Sequence, residues 1–133
     1  MSRILSYSEL DEFKRKGYLV LRRVFSREET EVWKTETKRL LSLGEDIINP
    51  YNIRVGFRKL NGVDTVEKFD PFTDISPVFA ALAKDERILT PLRDIYLDEP
   101  LLFKDKLIFK LPGMSGYTMH QDAAWWQGFA IEG

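Results

Sequence analysis

The sequence contains no cysteine and only one histidine among its 133 residues. Without cysteine there is no disulfide framework and no thiolate-ligated metal site. With 20 Lys and Arg against 21 Asp and Glu, the net charge is −1, which argues against a nucleic-acid partner. No apolar run approaches the roughly 18 residues that cross a bilayer, so we expect no membrane segment and a cytoplasmic protein.

The composition is that of an ordinary folded domain. Hydrophobic residues make up 44% and aromatic residues 13% of the chain, which is enough for a packed core. A chain of this length falls in the usual range for one domain. We therefore expect residues 1–133 to form a single domain.

Two capping boxes predict the first two helices. In residues 6–9 and again in residues 26–29, a serine is followed three residues later by a glutamate. Gly17 and Gly44 are placed to end these helices. Between them, the short apolar run 18–21 predicts a buried strand.

The middle of the chain carries turn and helix-start signals. Residues 54–60 alternate weakly and indicate a strand, and Asn61-Gly62 predicts a tight turn after it. Ser76-Pro77 has the pattern of an N-cap followed by proline at the first helical position. A further helix is predicted around residues 88–96, and Pro91 either starts it after a Thr90 cap or kinks it.

The clearest strand pattern covers residues 101–111, where apolar and lysine side chains alternate. Residues 117–122 are expected to form another strand that runs into a loop. Helix-rich segments thus precede strands, which is typical of an α+β fold with helices covering one side of an antiparallel sheet. The lysine row of the long strand is most simply a solvated face, and the functional alternative is that one lysine meets an anionic ligand.

The candidate site is the stretch His120-Gln121-Asp122. In an extended chain His120 and Asp122 point to the same face, because side chains alternate along a strand. A neutral imidazole beside a carboxylate supplies two members of the facial triad that binds non-haem Fe(II). The alternative is an ordinary histidine that is hydrogen-bonded to a neighbouring carboxylate. Trp125-Trp126 follows, either as the wall of a dry pocket or as core filling.

Several segments agree, in order, with one known family. Residues 107–112 (LIFKLP), a glycine-containing loop and residues 120–126 (HQDAAWW) resemble the phytanoyl-CoA dioxygenase family. Residues 17–25 (GYLVLRRVF), followed by a Ser-x-Glu-Glu helix, are similar as well. The resemblance implies a double-stranded β-helix (jelly-roll or cupin-like fold) with N-terminal helices packed on one sheet. It also implies an oxygenase that depends on Fe(II) and 2-oxoglutarate.

The resemblance implies roles for particular residues. His120 and Asp122 correspond to two of the iron ligands. Lys59, and after it Lys106, are the candidates for the lysine that contacts 2-oxoglutarate, and Gln121 falls where residues lining the cosubstrate pocket are found.

The chain also departs from the family pattern. Trp126 falls where substrate-lining residues are found in the family. The family's distal histidine and the arginine beyond it, however, have no counterpart in this sequence. We therefore expect the chain to be the N-terminal part of an incomplete jelly roll, and to be inactive alone.

The resulting hypothesis is a dioxygenase that uses molecular oxygen to hydroxylate an unactivated C–H bond of a small organic substrate. The first alternative is a non-catalytic fragment or binding module with the same fold. The second is a metal-free hydrolase that uses His120 and Asp122 as an acid/base pair, although the sequence has no Gly-x-Ser-x-Gly motif or cysteine nucleophile. The substrate and the oligomeric state are not encoded in any motif of the sequence.

Overall fold

The computed structural model describes residues 4–47 and 52–122, and the described chain is a mixture of helices and a small sheet. The strands pair in the order β1-β2-β3 and all pairs are antiparallel. The elements in chain order are α1 (Tyr7–Lys16), α2 (Arg27–Glu45), β1 (Val55–Leu60), β2 (Val63–Phe69), a 3₁₀ turn (Thr73–Ile75), α3 (Pro77–Leu82), α4 (Glu86–Tyr96) and β3 (Leu107–Ile108).

The first two helices begin where the sequence predicts. Ser6 and Ser26 each accept a hydrogen bond from the backbone N–H three residues later, and the glutamate side chain at that position accepts one from the backbone N–H of the serine. Gly17 ends α1 with φ at +79°, a left-handed conformation that glycine adopts without strain. Gly44 does not end α2, because the helix continues to Glu45 and buries Gly44 against the sheet.

The strand predicted over residues 54–60 and the turn after it are also confirmed, and β2 completes a hairpin with that strand. Asn61 and Gly62 both have positive φ, at 52° and 84°, and join Leu60 directly to Val63. Two consecutive positive φ values are the mark of a two-residue hairpin turn whose twist matches that of the strands. A register shift between Gly56 and Phe57 bends the first strand.

One predicted strand is absent and another is shorter than predicted. Residues 18–21 form no strand, and Tyr18 and Val20 are 58% and 59% exposed. Of residues 101–111, only Leu107–Ile108 pairs with β2. The preceding Asp105 carboxylate instead accepts the backbone N–H groups of Phe72 and Thr73 at 2.8 and 2.7 Å, which ties this stretch to the loop after β2.

The strand predicted over residues 117–122 is likewise absent, since residues 117–121 have no regular secondary structure. Residues 101–111 carry the alternating pattern, and residues 18–21 are a short apolar run. A strand, however, needs a neighbouring strand to accept its backbone hydrogen bonds, and the described chain does not supply one there.

The two later helices agree with the sequence in part. Ser76 caps α3 and Pro77 takes its first position, as predicted. The cap of α4 is Asp85 rather than Thr90, so Pro91 lies inside the helix. The Asp85 side chain accepts the Arg87 backbone N–H at 2.8 Å.

The core lies between α2 and one face of the sheet. Leu40 from the helix packs with Val66 and Phe69 from β2 and with Phe109, which follows β3. Phe69 and Phe109 meet edge to face, with ring centroids 6.2 Å apart. The α+β prediction is confirmed at this level, whereas the jelly roll stays a prediction. No helix within the described residues is long and apolar enough to cross a membrane.

Candidate metal site

His120 is hydrogen-bonded to the chain that precedes it. Its Nδ1 lies 2.7 Å from the carbonyl oxygen of Thr118. Because a carbonyl oxygen only accepts, Nδ1 carries the ring proton, and a neutral ring then has its lone pair on Nε2. A backbone carbonyl on one ring nitrogen is the usual partner of a histidine whose other nitrogen binds a metal.

The free nitrogen faces a carboxylate. His120 Nε2 lies 3.2 Å from Asp122 Oδ1, so in the neutral ring with its proton on Nδ1 two lone-pair atoms face each other. Such a contact is repulsive unless a proton or a cation lies between the two atoms. Metal–ligand bonds of about 2.1 Å at a right angle place two ligand atoms about 3 Å apart. The spacing and the donor types therefore fit a divalent metal.

The pair is open to solvent and incomplete as a ligand set. The His120 side chain is 45% exposed and that of Asp122 is 79% exposed. Among residues 4–47 and 52–122, no group of three or more histidine, cysteine, aspartate or glutamate side chains is arranged to hold a metal ion. Within the described part of the chain, His120 and Asp122 are thus a pair of potential ligands, and their assignment to a metal stays a prediction.

The predicted cosubstrate lysines lie apart from this pair. Lys59 is at the exposed end of the hairpin, and its Nζ is 3.0 Å from Asp64 Oδ1. Neither Lys59 nor Lys106 forms a hydrogen bond or ion pair with His120 or Asp122. Their assignment to 2-oxoglutarate stays a prediction.

Lys106 belongs to a separate group of charges centred on Asp70. The Asp70 Oδ2 atom is 3.4 Å from the Nζ of Lys106, 3.4 Å from that of Lys104 and 3.9 Å from that of Lys68. One carboxylate is therefore shared by three ammonium groups at the junction of β2 and β3.

The structure says less about the other two predicted site residues, Gln121 and Trp126. Gln121 lies between the two ligands and is exposed, and its role in the cosubstrate pocket stays a prediction. Trp126 and its neighbour Trp125 lie outside the described residues, so their roles also stay predictions.

A network that the sequence analysis did not identify joins the hairpin to the chain before His120. We call it the Tyr117 clamp, and it consists of Arg58, Glu67, Lys110, Ser115 and Tyr117. The Tyr117 hydroxyl donates to Glu67 Oε1 at 2.8 Å, and Arg58 forms an ion pair with the same carboxylate. The Lys110 Nζ lies 4.1 Å from the centroid of the Tyr117 ring, within cation–π range.

The Tyr117 clamp also holds the loop before Tyr117 at Ser115. Arg58 donates to Ser115 Oγ at 3.0 Å, and Lys110 donates to the Ser115 carbonyl oxygen at 3.0 Å. The pKa of Tyr117 is raised, first by its hydrogen bond to the Glu67 carboxylate and then by burial. The two-residue turn places Arg58 opposite Thr65, so Glu67 is its diagonal neighbour. This register could have revealed the Arg58–Glu67 pair.

Comparison with known proteins gives one match. The model of the family described as Phytanoyl-CoA dioxygenase (PhyH) matches residues 13–132, which is most of the chain. No curated protein and no solved structure matches. The matched segment includes His120, Asp122 and the whole Tyr117 clamp.

Proposed function

Because the chain belongs to the phytanoyl-CoA dioxygenase family, we propose that it carries part of the active site of an Fe(II)- and 2-oxoglutarate-dependent oxygenase. The substrate is a small organic molecule, and the reaction is hydroxylation of an unactivated C–H bond. The family generally uses iron, 2-oxoglutarate and oxygen, and these define the class of reaction.

The observation that carries the proposal is the contact between His120 Nε2 and Asp122 Oδ1. Nδ1 is protonated against Thr118, so Nε2 is the nitrogen available to a metal. The Asp122 carboxylate adds a hard, negatively charged oxygen, which suits Fe(II). Bound iron would supply the oxidising chemistry when 2-oxoglutarate and oxygen are present.

The protein's own residues then have separate tasks. His120 and Asp122 hold the metal, and Thr118 holds the ring proton away from it. Lys59 or Lys106 contacts 2-oxoglutarate and supplies a positive charge to it, because a buried anion requires a counter-charge. In this proposal the three-stranded sheet is part of a jelly roll, and further ligands come from outside the described residues.

An anaerobic titration with Fe(II) and 2-oxoglutarate tests the metal assignment. We expect a weak visible absorption band in the wild-type protein and none in His120→Ala. Asp122→Asn should weaken Fe(II) binding by more than about tenfold, since it removes a charged ligand. Asp98→Asn is the matched control, because Asp98 is an exposed carboxylate at the end of α4.

Two results would contradict the proposal. A band that survives His120→Ala would show that the metal binds elsewhere. The absence of any saturable Fe(II) binding by the wild-type chain would instead favour a non-catalytic binding module of the same family.

A further inference from the structure

We infer that Tyr117 is a positioning residue that holds the His120 segment in its ligating geometry. This inference rests on the proposed function for its purpose, but its structural content can be measured without metal. Residues 117–121 are exposed and lack regular secondary structure, so strand pairing cannot fix the position of His120. The side chains of the Tyr117 clamp replace that pairing.

The first step of the argument is the strength of the anchor. Glu67 and Arg58 have side chains that are 14% and 29% exposed, so their ion pair is partly shielded from water. The Tyr117 hydroxyl donates to this carboxylate, and a hydrogen bond to a charged acceptor is stronger than a neutral one. The ring also lies under the Lys110 ammonium group. Hydroxyl and ring are therefore both held by the sheet region.

The second step is proximity along the chain. Thr118 follows Tyr117 directly, and its carbonyl oxygen is the acceptor that fixes the proton on His120 Nδ1. Fixing Tyr117 therefore restricts where that oxygen can lie. If Tyr117 is released, the Thr118 carbonyl is free to turn away, and the ring proton can move to Nε2, where it blocks the metal-binding position.

Two variants separate the hydroxyl from the rest of the clamp. Tyr117→Phe keeps the ring beneath Lys110 but removes the bond to Glu67. Glu67→Gln keeps an acceptor but removes its charge and weakens the anchor. Tyr96→Phe is the matched control, because Tyr96 is an exposed tyrosine at the end of α4. Circular dichroism establishes that each variant is folded.

The first measurement is the ¹⁵N spectrum of the imidazole ring in the metal-free protein, recorded in alkaline buffer where a free imidazole is neutral. His120 is the only histidine, so the ring signals need no assignment. We expect one protonated-type and one unprotonated-type nitrogen in the wild type and in Tyr96→Phe. In Tyr117→Phe, and to a smaller extent in Glu67→Gln, the two frequencies should move together as the tautomers interchange.

The second measurement is a titration with Co(II) alone, followed by visible absorption. We expect Tyr117→Phe to bind Co(II) about tenfold more weakly than the wild type, the usual effect of losing support around a metal ligand. Wild-type ring frequencies and Co(II) affinity in both variants would overturn the positioning role. If the ring frequencies change as expected but the wild type binds no Co(II), the positioning role stands and the proposed function fails.

Discussion

Ser76 donates its hydroxyl proton to Glu36 Oε1 across 2.5 Å, at a point where Ser76 is fully buried and Glu36 is nearly so. The same hydroxyl oxygen caps α3 by accepting the backbone N–H of Phe79 at 3.3 Å. Arg39 binds Glu36 through two parallel hydrogen bonds of 2.8 and 2.7 Å. One serine therefore connects the start of α3 to a charged pair on α2.

Ser76→Ala should lower the free energy of unfolding by about 1–3 kcal/mol, because it removes a helix cap and leaves the buried Glu36 carboxylate with the Arg39 hydrogen bonds but without the one from the serine. Urea denaturation measures this loss. Ser42→Ala, at an exposed position on α2, is the control and should change the free energy by less than about 0.5 kcal/mol. Equal effects of the two substitutions would contradict the assigned role.

The stability of the protein should fall in acid partly through Glu36. The pKa of Glu36 is lowered from its usual 4.5, first by the hydrogen bonds from Arg39 and also by the bond from Ser76. A lowered carboxyl pKa contributes stability that is complete above 4.5 and is lost as the pH falls through the folded value. Glu36→Gln should therefore be less stable at neutral pH, with a shallower decline below 4.5.

Urea midpoints across this pH range test the expectation for Glu36. Glu45→Gln, which changes an exposed carboxylate at the end of α2, should keep the wild-type slope. A Glu36→Gln profile parallel to that of the wild type would show that another carboxylate governs the acid transition.

Gly44→Ala should destabilise the protein even though alanine favours helices. An added Cβ would lie 3.0 Å from side-chain atoms of both Phe69 and Val66, which are themselves fully buried. The gain in helix propensity is about 1 kcal/mol, and overpacking of a core costs about 1–3 kcal/mol. We expect a net loss of about 1 kcal/mol in thermal or urea unfolding.

Gly116→Ala is the control for Gly44→Ala, since among the described residues only its two chain neighbours have atoms within 4 Å of its added Cβ. It should leave the free energy of unfolding nearly unchanged. A stabilising effect of Gly44→Ala would mean that α2 can move away from the sheet at little cost.

Gly62→Ala should weaken the hairpin, because Gly62 has φ at +84° and an alanine there is strained by about 1–2 kcal/mol. Amide hydrogen exchange at Leu60 and Val63, which flank the turn, should become faster. Asn61→Gly keeps a residue that accepts positive φ and should preserve the wild-type exchange rates. Unchanged exchange in Gly62→Ala would contradict the turn assignment.

The parts of the fold that the sequence predicts well are those set by local contacts. The caps at Ser6, Ser26 and Ser76 each involve residues within one helical turn, and the Asn61-Gly62 turn is complete in two residues. The strand predicted over residues 101–111 is mostly absent, for the opposite reason. Alternation of side chains gives the face of a strand, but its extent depends on a partner elsewhere in the chain.

The candidate site likewise combines contacts that the sequence predicts with contacts that only the fold creates. His120 and Asp122 are two residues apart, so their adjacency follows from the sequence alone. Glu67 lies 50 residues from Tyr117, and only the folded chain brings them together. The geometry also adds the Thr118 carbonyl, since any residue could have provided that backbone oxygen.

Because three lysines surround Asp70, replacing one of the lysines and replacing the aspartate should have unequal effects on stability. Removing one lysine also relieves repulsion among the remaining ammonium groups, so single losses partly compensate for themselves. Removing the aspartate leaves three like charges close together without the carboxylate that offsets their repulsion. Substitutions here are therefore epistatic, because loss of Asp70 costs most while Lys68, Lys104 and Lys106 are all present and costs less once one of them has been replaced.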